Sequence, residues 1–116
     1  MFGFHNRILS INLSEQSFEI ETLPGEIYQT YLGGKGLASY LLFTRNPEGV
    51  DPFSPDNHLI FTTGPISQSS IWGGSRYGVF TKSPQTGFYS ESYSGGKVPE
   101  AIDAAGFDAI AIKGAC

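Results

Sequence analysis

Apolar and polar residues alternate over residues 7–13 and again over residues 17–22. A period of two is typical of a strand with one buried face. The polar segment Ser14–Gln16 separates the two stretches. The pattern therefore predicts a β-hairpin at the start of the chain.

Helical spacing replaces this alternation after Pro24–Gly25. Apolar residues recur at intervals of three and four over residues 26–32 and 37–45, which predicts two short helices. A third helix is predicted over residues 97–105, because Gly106 takes the position that commonly ends a helix.

Four further segments read as strands: residues 58–63, 76–82, 87–92 and 108–113. With the hairpin they make about six strands and three short helices, without a repeated strand–helix–strand order. The sequence therefore predicts an α+β fold with a β-rich, mixed or mostly antiparallel sheet. Because residue 116 follows directly on the last strand, we expect the chain to be part of a larger domain.

Composition narrows the class of protein. The 116 residues suit one domain, and the 40% of hydrophobic residues suffices for a small core. A net charge of −4 argues against a nucleic-acid partner, and one cysteine excludes a disulfide framework. No apolar run exceeds four residues, and the first residues lack the order of a signal peptide. We therefore expect no membrane association and a cytoplasmic location.

Several short motifs approach known catalytic patterns without matching them. Gly34–Gly36 lacks the Ser or Thr that follows the lysine of a phosphate-binding P-loop. Gly73–Gly78 resembles a nucleophile elbow, but Tyr77 takes the place of its second glycine. His5 and His58 have no acidic or nucleophilic neighbours in sequence, so neither a serine-hydrolase triad nor a metal site is expected in this chain.

Fifteen of the residues are glycine, and many are clustered beside predicted strands and helices. The segment Ser94–Lys97 precedes the third predicted helix, where open backbone N–H groups and a lysine suit an anion such as phosphate. An ordinary serine N-cap with a glycine turn is the alternative. Arg76 follows a second glycine pair and suits a phosphate or a heterocycle, or else an ordinary surface carboxylate.

Seven blocks of sequence occur in an order that resembles one known family. They are LGGKGLA (32–38), DPFSP (51–55), TGP (63–65), GGSRY (73–77), TKSPQTGF (81–88), SGG (94–96) and AGFDAI (105–110). This combination resembles the N-terminal region of the tungsten-containing aldehyde ferredoxin oxidoreductases, and the resemblance extends over essentially the whole chain. Residues 1–116 would then be the N-terminal part of the tungstopterin-binding domain of a longer protein.

The resemblance implies a cofactor-binding role. In the family, a β-rich base carries a tungsten or molybdenum bis-pterin whose metal is held by pterin sulfurs. Arg76 and the segment Tyr93, Ser94, Gly95 and Gly96 match the positions that contact the pterin and its phosphates. The backbone carbonyl of Tyr93 matches a ligand of the magnesium ion that bridges the phosphates. The family usually has Asn at this position, so the side-chain contact differs here.

The resemblance also implies the chemistry and partners of the whole protein. It would oxidise aldehydes or related substrates and pass electrons through a [4Fe–4S] cluster to ferredoxin. It could also form a homo-oligomer. The cluster ligands and catalytic groups would lie outside this chain, so the 116 residues alone are expected to be inactive. Two alternatives are a stand-alone module that binds a phosphorylated small molecule and a structural homologue without cofactor.

Overall fold

A computed structural model describes residues 3–116 as one six-stranded mixed sheet with three helices. The strands are β1 (Arg7–Asn12), β2 (Ser17–Thr22), β3 (Leu59–Thr63), β4 (Tyr77–Lys82), β5 (Tyr89–Ser94) and β6 (Ala109–Lys113). The helices are α1 (Gly25–Tyr31), α2 (Gly34–Arg45) and α3 (Val98–Ala104). The predicted α+β class is confirmed. In this part of the chain, no helix is long and apolar enough to cross a membrane.

The strands are arranged in the order β2-β1-β6-β3-β4-β5. The β1–β6 pair is parallel, whereas the other four pairs are antiparallel. The last strand therefore lies in the centre of the sheet and joins the N-terminal hairpin to the β3–β4–β5 meander. The strands β2 and β5 form the two edges.

Two elements differ from the sequence prediction by two residues or more, for physical reasons. The second helix begins at Gly34 rather than residue 37, because the glycine run is packed against the first helix. A Cβ on Gly36 would collide with the carbonyl oxygen of Tyr31, so this glycine permits close contact between helices. The fifth strand spans 89–94 rather than 87–92, because Gly87 (φ +74°) belongs to the preceding turn.

The core lies between α1, α2 and one face of the sheet. Its fully buried members include Tyr28 and Leu37 on the helices, and Ile8, Ile60 and Phe80 on the strands. These strand residues share one face because side chains alternate along each strand.

The opposite face, called the open face below, carries a second set of apolar side chains. They are Leu9 and Ile11 on β1, Phe18 and Ile20 on β2, Ile110 and Ile112 on β6, Leu59 and Phe61 on β3, and Val79 on β4. All nine are at least partly exposed to solvent.

A buried carboxylate fastens the N-terminal strand to this core. Asp108 accepts hydrogen bonds from the backbone N–H groups of His5 (2.9 Å) and Arg7 (3.3 Å), and from the Tyr28 hydroxyl (2.7 Å). Burial and the neighbouring carboxylate raise the pKa of the Tyr28 phenol, so it remains a donor. The network joins β1, α1 and the start of β6.

Candidate functional site

The two glycine-rich segments singled out in the sequence meet at one end of the β4–β5 ladder. Tyr77 pairs with Ser94, so the residues just before β4 lie beside those just after β5. The Ser75 hydroxyl donates a hydrogen bond of 2.7 Å to the Gly96 carbonyl. We call the combined surface of residues 73–76 and 93–97 the glycine-rich edge.

Gly95 is the point of closest contact within this edge. A Cβ built on it would lie 3.2 Å from the Ser75 carbonyl oxygen and 3.7 Å from Cδ of Arg76. The absence of a side chain here therefore has a packing reason, besides any closeness to a ligand. Gly96 differs, since its φ is +86° and a Cβ there would meet no atom within 4 Å. The space beside its Cα is therefore open, although its carbonyl oxygen is bound by Ser75.

The Arg76 side chain is exposed and makes no hydrogen bond or ion pair with any residue from 3 to 116. Within the same range, the three ion pairs involve His5, Lys35 and Arg45 instead. The alternative of a surface arginine paired with a carboxylate therefore finds no partner in the described chain. Lys97 is also exposed and unpaired within those residues. The glycine-rich edge thus offers two cations to an anion.

The backbone of Tyr93 faces away from the sheet. The Ser83 N–H bonds to the Phe88 carbonyl at 2.7 Å, and hydrogen-bonded pairs alternate along an antiparallel ladder. By this alternation, Ser90, Ser92 and Ser94 direct their backbone groups to β4. The Tyr93 carbonyl then points outward from the edge strand, where a ligand can reach it.

The side chain of Tyr93 is engaged within the protein. Its ring packs edge-on against Phe80, with centroids 5.7 Å apart, and its hydroxyl donates to a Glu91 carboxylate oxygen at 3.1 Å. Partial desolvation and this carboxylate raise the pKa of the phenol. Glu91 also forms an ion pair with Lys35 at 2.8 Å, which lowers the pKa of the Glu91 carboxyl. The Tyr93 side chain therefore packs against the protein and stabilises the glycine-rich edge.

The third helix is shorter than predicted, and it begins later. It spans Val98–Ala104, with Lys97 as N-cap and without a side-chain cap. Ser94 is part of β5, so the alternative of a serine N-cap is wrong. A helix of seven residues carries little partial charge at its N-terminus, so it contributes little to anion binding. The capacity for anions rests on Arg76, Lys97 and the open backbone at Gly96.

The histidines lie away from this edge. His5 bonds to Asp103 at 2.9 Å, and the His58 ring bonds to the Asn46 side-chain oxygen at 2.8 Å. Burial, with Arg45 nearby, lowers the pKa of His58. Across residues 3–116, no three His, Cys, Asp or Glu side chains come together as metal ligands.

Ser75 is the member of the edge that the sequence analysis did not select. Its hydroxyl joins the two glycine-rich segments, and the only signal in the sequence was its position between Gly74 and Arg76. The donor set as a whole suits a phosphate-bearing group. Arginine and lysine are the side chains that usually bind phosphate in proteins. A carbonyl oxygen that points outward suits a hard metal ion bound to the phosphates.

Comparison with known proteins gives this geometry a context. The family described as "Aldehyde ferredoxin oxidoreductase, N-terminal domain" matches residues 8–116. The chain is 42% identical over 114 residues to a tungsten-containing aldehyde ferredoxin oxidoreductase of Pyrococcus horikoshii. The match covers 98% of this chain and 19% of that protein, so the chain spans about a fifth of the relative's length.

Two further matches are to proteins whose names indicate other substrates. An aliphatic sulfonate oxidoreductase, WOR-like subunit, of Pyrococcus furiosus is 26% identical over 117 residues. Among solved structures, the active-site complex BamBC of benzoyl coenzyme A reductase, bound to 1,5-dienoyl-CoA, matches with a TM-score of 0.91 and 34% identity. That match covers 97% of this chain and 17% of the other.

The overall fold agrees with the solved-structure match. The chain belongs to the aldehyde ferredoxin oxidoreductase family, and its residues 8–116 correspond to the family's N-terminal domain.

Proposed function

We propose that the glycine-rich edge binds the phosphate-bearing part of a tungsten or molybdenum pterin cofactor in a full-length oxidoreductase. The observation that carries this proposal is the unpaired Arg76 guanidinium beside Gly96, a position that no other atom crowds. Tungsten is named in two relatives that are 42% and 43% identical to this chain over 114 residues.

Each residue of the edge has a distinct role in the proposal. Arg76 donates charge-assisted hydrogen bonds to a phosphate or to the pterin ring, with its geometry set by the Ser75–Gly96 bond. The backbone of Ser94–Gly96 approaches the cofactor closely because its two glycines carry no side chain. The outward Tyr93 carbonyl would be one ligand for a magnesium ion bound with the phosphates of the cofactor.

The bound cofactor would supply the two-electron redox chemistry, while this domain supplies binding, orientation and electrostatics. An aldehyde and water would yield a carboxylate, protons and two electrons, and ferredoxin would take up the electrons. A [4Fe–4S] cluster and the groups that move protons would come from the chain beyond residue 116. We also propose that the full-length protein acts in the cytoplasm.

The experiment is an anaerobic assay of the full-length protein after its tungsten, molybdenum and pterin content has been measured. We expect bound metal and pterin, and reduction of ferredoxin that depends on an added aldehyde. An aliphatic sulfonate and an aromatic acyl-CoA serve as comparison substrates because relatives act on or bind such compounds.

Two results would contradict the proposal in different ways. Metal-loaded protein that is active only with a comparison substrate would overturn the aldehyde assignment while retaining the cofactor. Protein without metal or pterin that binds a phosphorylated small molecule would favour the binding-module alternative.

A further inference from the structure

The open face is a continuous apolar band across five of the six strands. Neighbouring strands place its side chains directly opposite one another, as in the pairs Leu9–Ile20, Leu9–Ile110 and Phe61–Ile110. Phe18 is 72% exposed and Ile20 is 49% exposed. A contiguous apolar surface of this kind is rare on a soluble protein unless something packs against it.

One end of this band forms an open groove of about 580 Å³. Its lining is almost wholly apolar and includes Phe18, Ile20, Phe107 and the last residue, Cys116. Any chain that continues past residue 116 therefore begins within the groove. No movement of the sheet is needed for it to reach the open face.

The apolar band ends at β4 and does not extend to the edge strand β5. On β5 the side chains that share the open face are Ser90, Ser92 and Ser94. This row of hydroxyl groups lies between the apolar band and the β5 edge of the sheet. Ser94 also belongs to the glycine-rich edge. An apolar layer would thus have its natural limit at β4 and leave the glycine-rich edge accessible.

We propose that the chain following residue 116 in the full-length protein packs on the open face as a second layer. Sheets with one face covered by helices and a second apolar face are stable when another layer buries that face. The relatives are about five times as long as this chain, so ample chain exists to form the layer. The inference rests on family membership and does not depend on cofactor binding.

A tethered segment is favoured over a second copy of the protein. A segment attached at Cys116 is present at an effective concentration in the mM range, as for short flexible linkers. A second molecule would have to compete from bulk concentrations far lower than this. The intramolecular occupant therefore has the advantage for equal contact area.

The test uses the full-length protein with the photo-cross-linker p-benzoylphenylalanine in place of Phe18. The matched control carries it in place of Glu19, the next residue of β2, whose side chain points to the other face. Equal amounts of ¹⁵N-labelled and unlabelled protein are mixed before irradiation. Peptide mapping then distinguishes intramolecular products from intermolecular ones.

We expect the Phe18 position to give intramolecular cross-links to peptides beyond residue 116, and the Glu19 position to give far fewer. Mixed-isotope products at Phe18 would show a second copy as occupant and overturn the proposal. Products confined to residues 1–116, or equal cross-linking from both positions, would also overturn it. The readout is the same with or without cofactor, so failure of the proposed function leaves it intact.

Discussion

Replacing Gly96 by alanine separates a binding role of the glycine-rich edge from a purely conformational one. Gly96 has φ +86°, and a Cβ on it would meet no atom within 4 Å. Gly87, at the other end of β5, has φ +74° and equally open surroundings. Alanine at either position therefore lowers the free energy of unfolding only by the strain of a left-handed backbone, about 1–2 kcal/mol. Gly87→Ala is thus a matched control for strain.

The two variants should differ in cofactor content. Phosphate oxygens lie about 3 Å from the backbone N–H groups that bind them, and a methyl group at residue 96 would obstruct that approach. We expect Gly96→Ala and Gly87→Ala to lower the free energy of unfolding by similar amounts, while only Gly96→Ala loses metal and pterin. Gly95→Ala is less informative, because its Cβ would also press on the Ser75 carbonyl.

The assay combines thermal unfolding with tungsten, molybdenum and pterin analysis of the two full-length variants, purified in parallel. Equal cofactor content in Gly96→Ala and Gly87→Ala, with similar stability losses, would refute the reasoning. The glycine at 96 would then serve the turn alone.

Two further predictions concern stability. Tyr28→Phe should lower the free energy of unfolding by about 1.5–3 kcal/mol, because it removes a hydrogen bond to the buried Asp108 carboxylate. Urea unfolding measures this change. A loss below about 0.5 kcal/mol, the size typical of a surface substitution, would contradict the prediction. The pKa of His58 is lowered by burial in the folded state, so as pH falls below its ordinary value of 6.5 the unfolded chain takes up a proton that the folded chain does not. Stability should therefore decline from pH 7 to pH 5.5, and less steeply in His58→Gln; identical slopes would show that His58 does not contribute.

Local patterns sufficed for most of the secondary structure. The alternation in residues 7–13 and 17–22 matches the observed β1–β2 hairpin, although its apolar side chains share the open face and not the face that packs on the helices. The placement of β6 between β1 and β3 could not be predicted, since strand order depends on contacts between residues about a hundred positions apart. Asp108 shows the same limitation, because its partners His5, Arg7 and Tyr28 are distant in sequence.

The candidate site was predictable in its members but not in its geometry. The glycine pairs, Arg76 and Ser94–Gly96 stand out as short motifs. Their meeting through Ser75 and Gly96 depends on the β4–β5 register, which no local pattern specifies. The start of the third helix was not predictable either, because Ser94 belongs to β5 and the helix begins at Val98 with Lys97 as N-cap.

The most direct test of the central claim is the tungsten and molybdenum content of full-length Arg76→Ala beside full-length Lys113→Ala. Both changes remove one exposed cation, but Lys113 lies at the end of β6, away from the glycine-rich edge. Loss of a charge-assisted hydrogen bond is worth about 1.5–3 kcal/mol, or roughly a 10- to 150-fold weaker affinity. We predict a marked loss of metal and pterin from Arg76→Ala and none from Lys113→Ala. Full metal occupancy in Arg76→Ala would contradict the account.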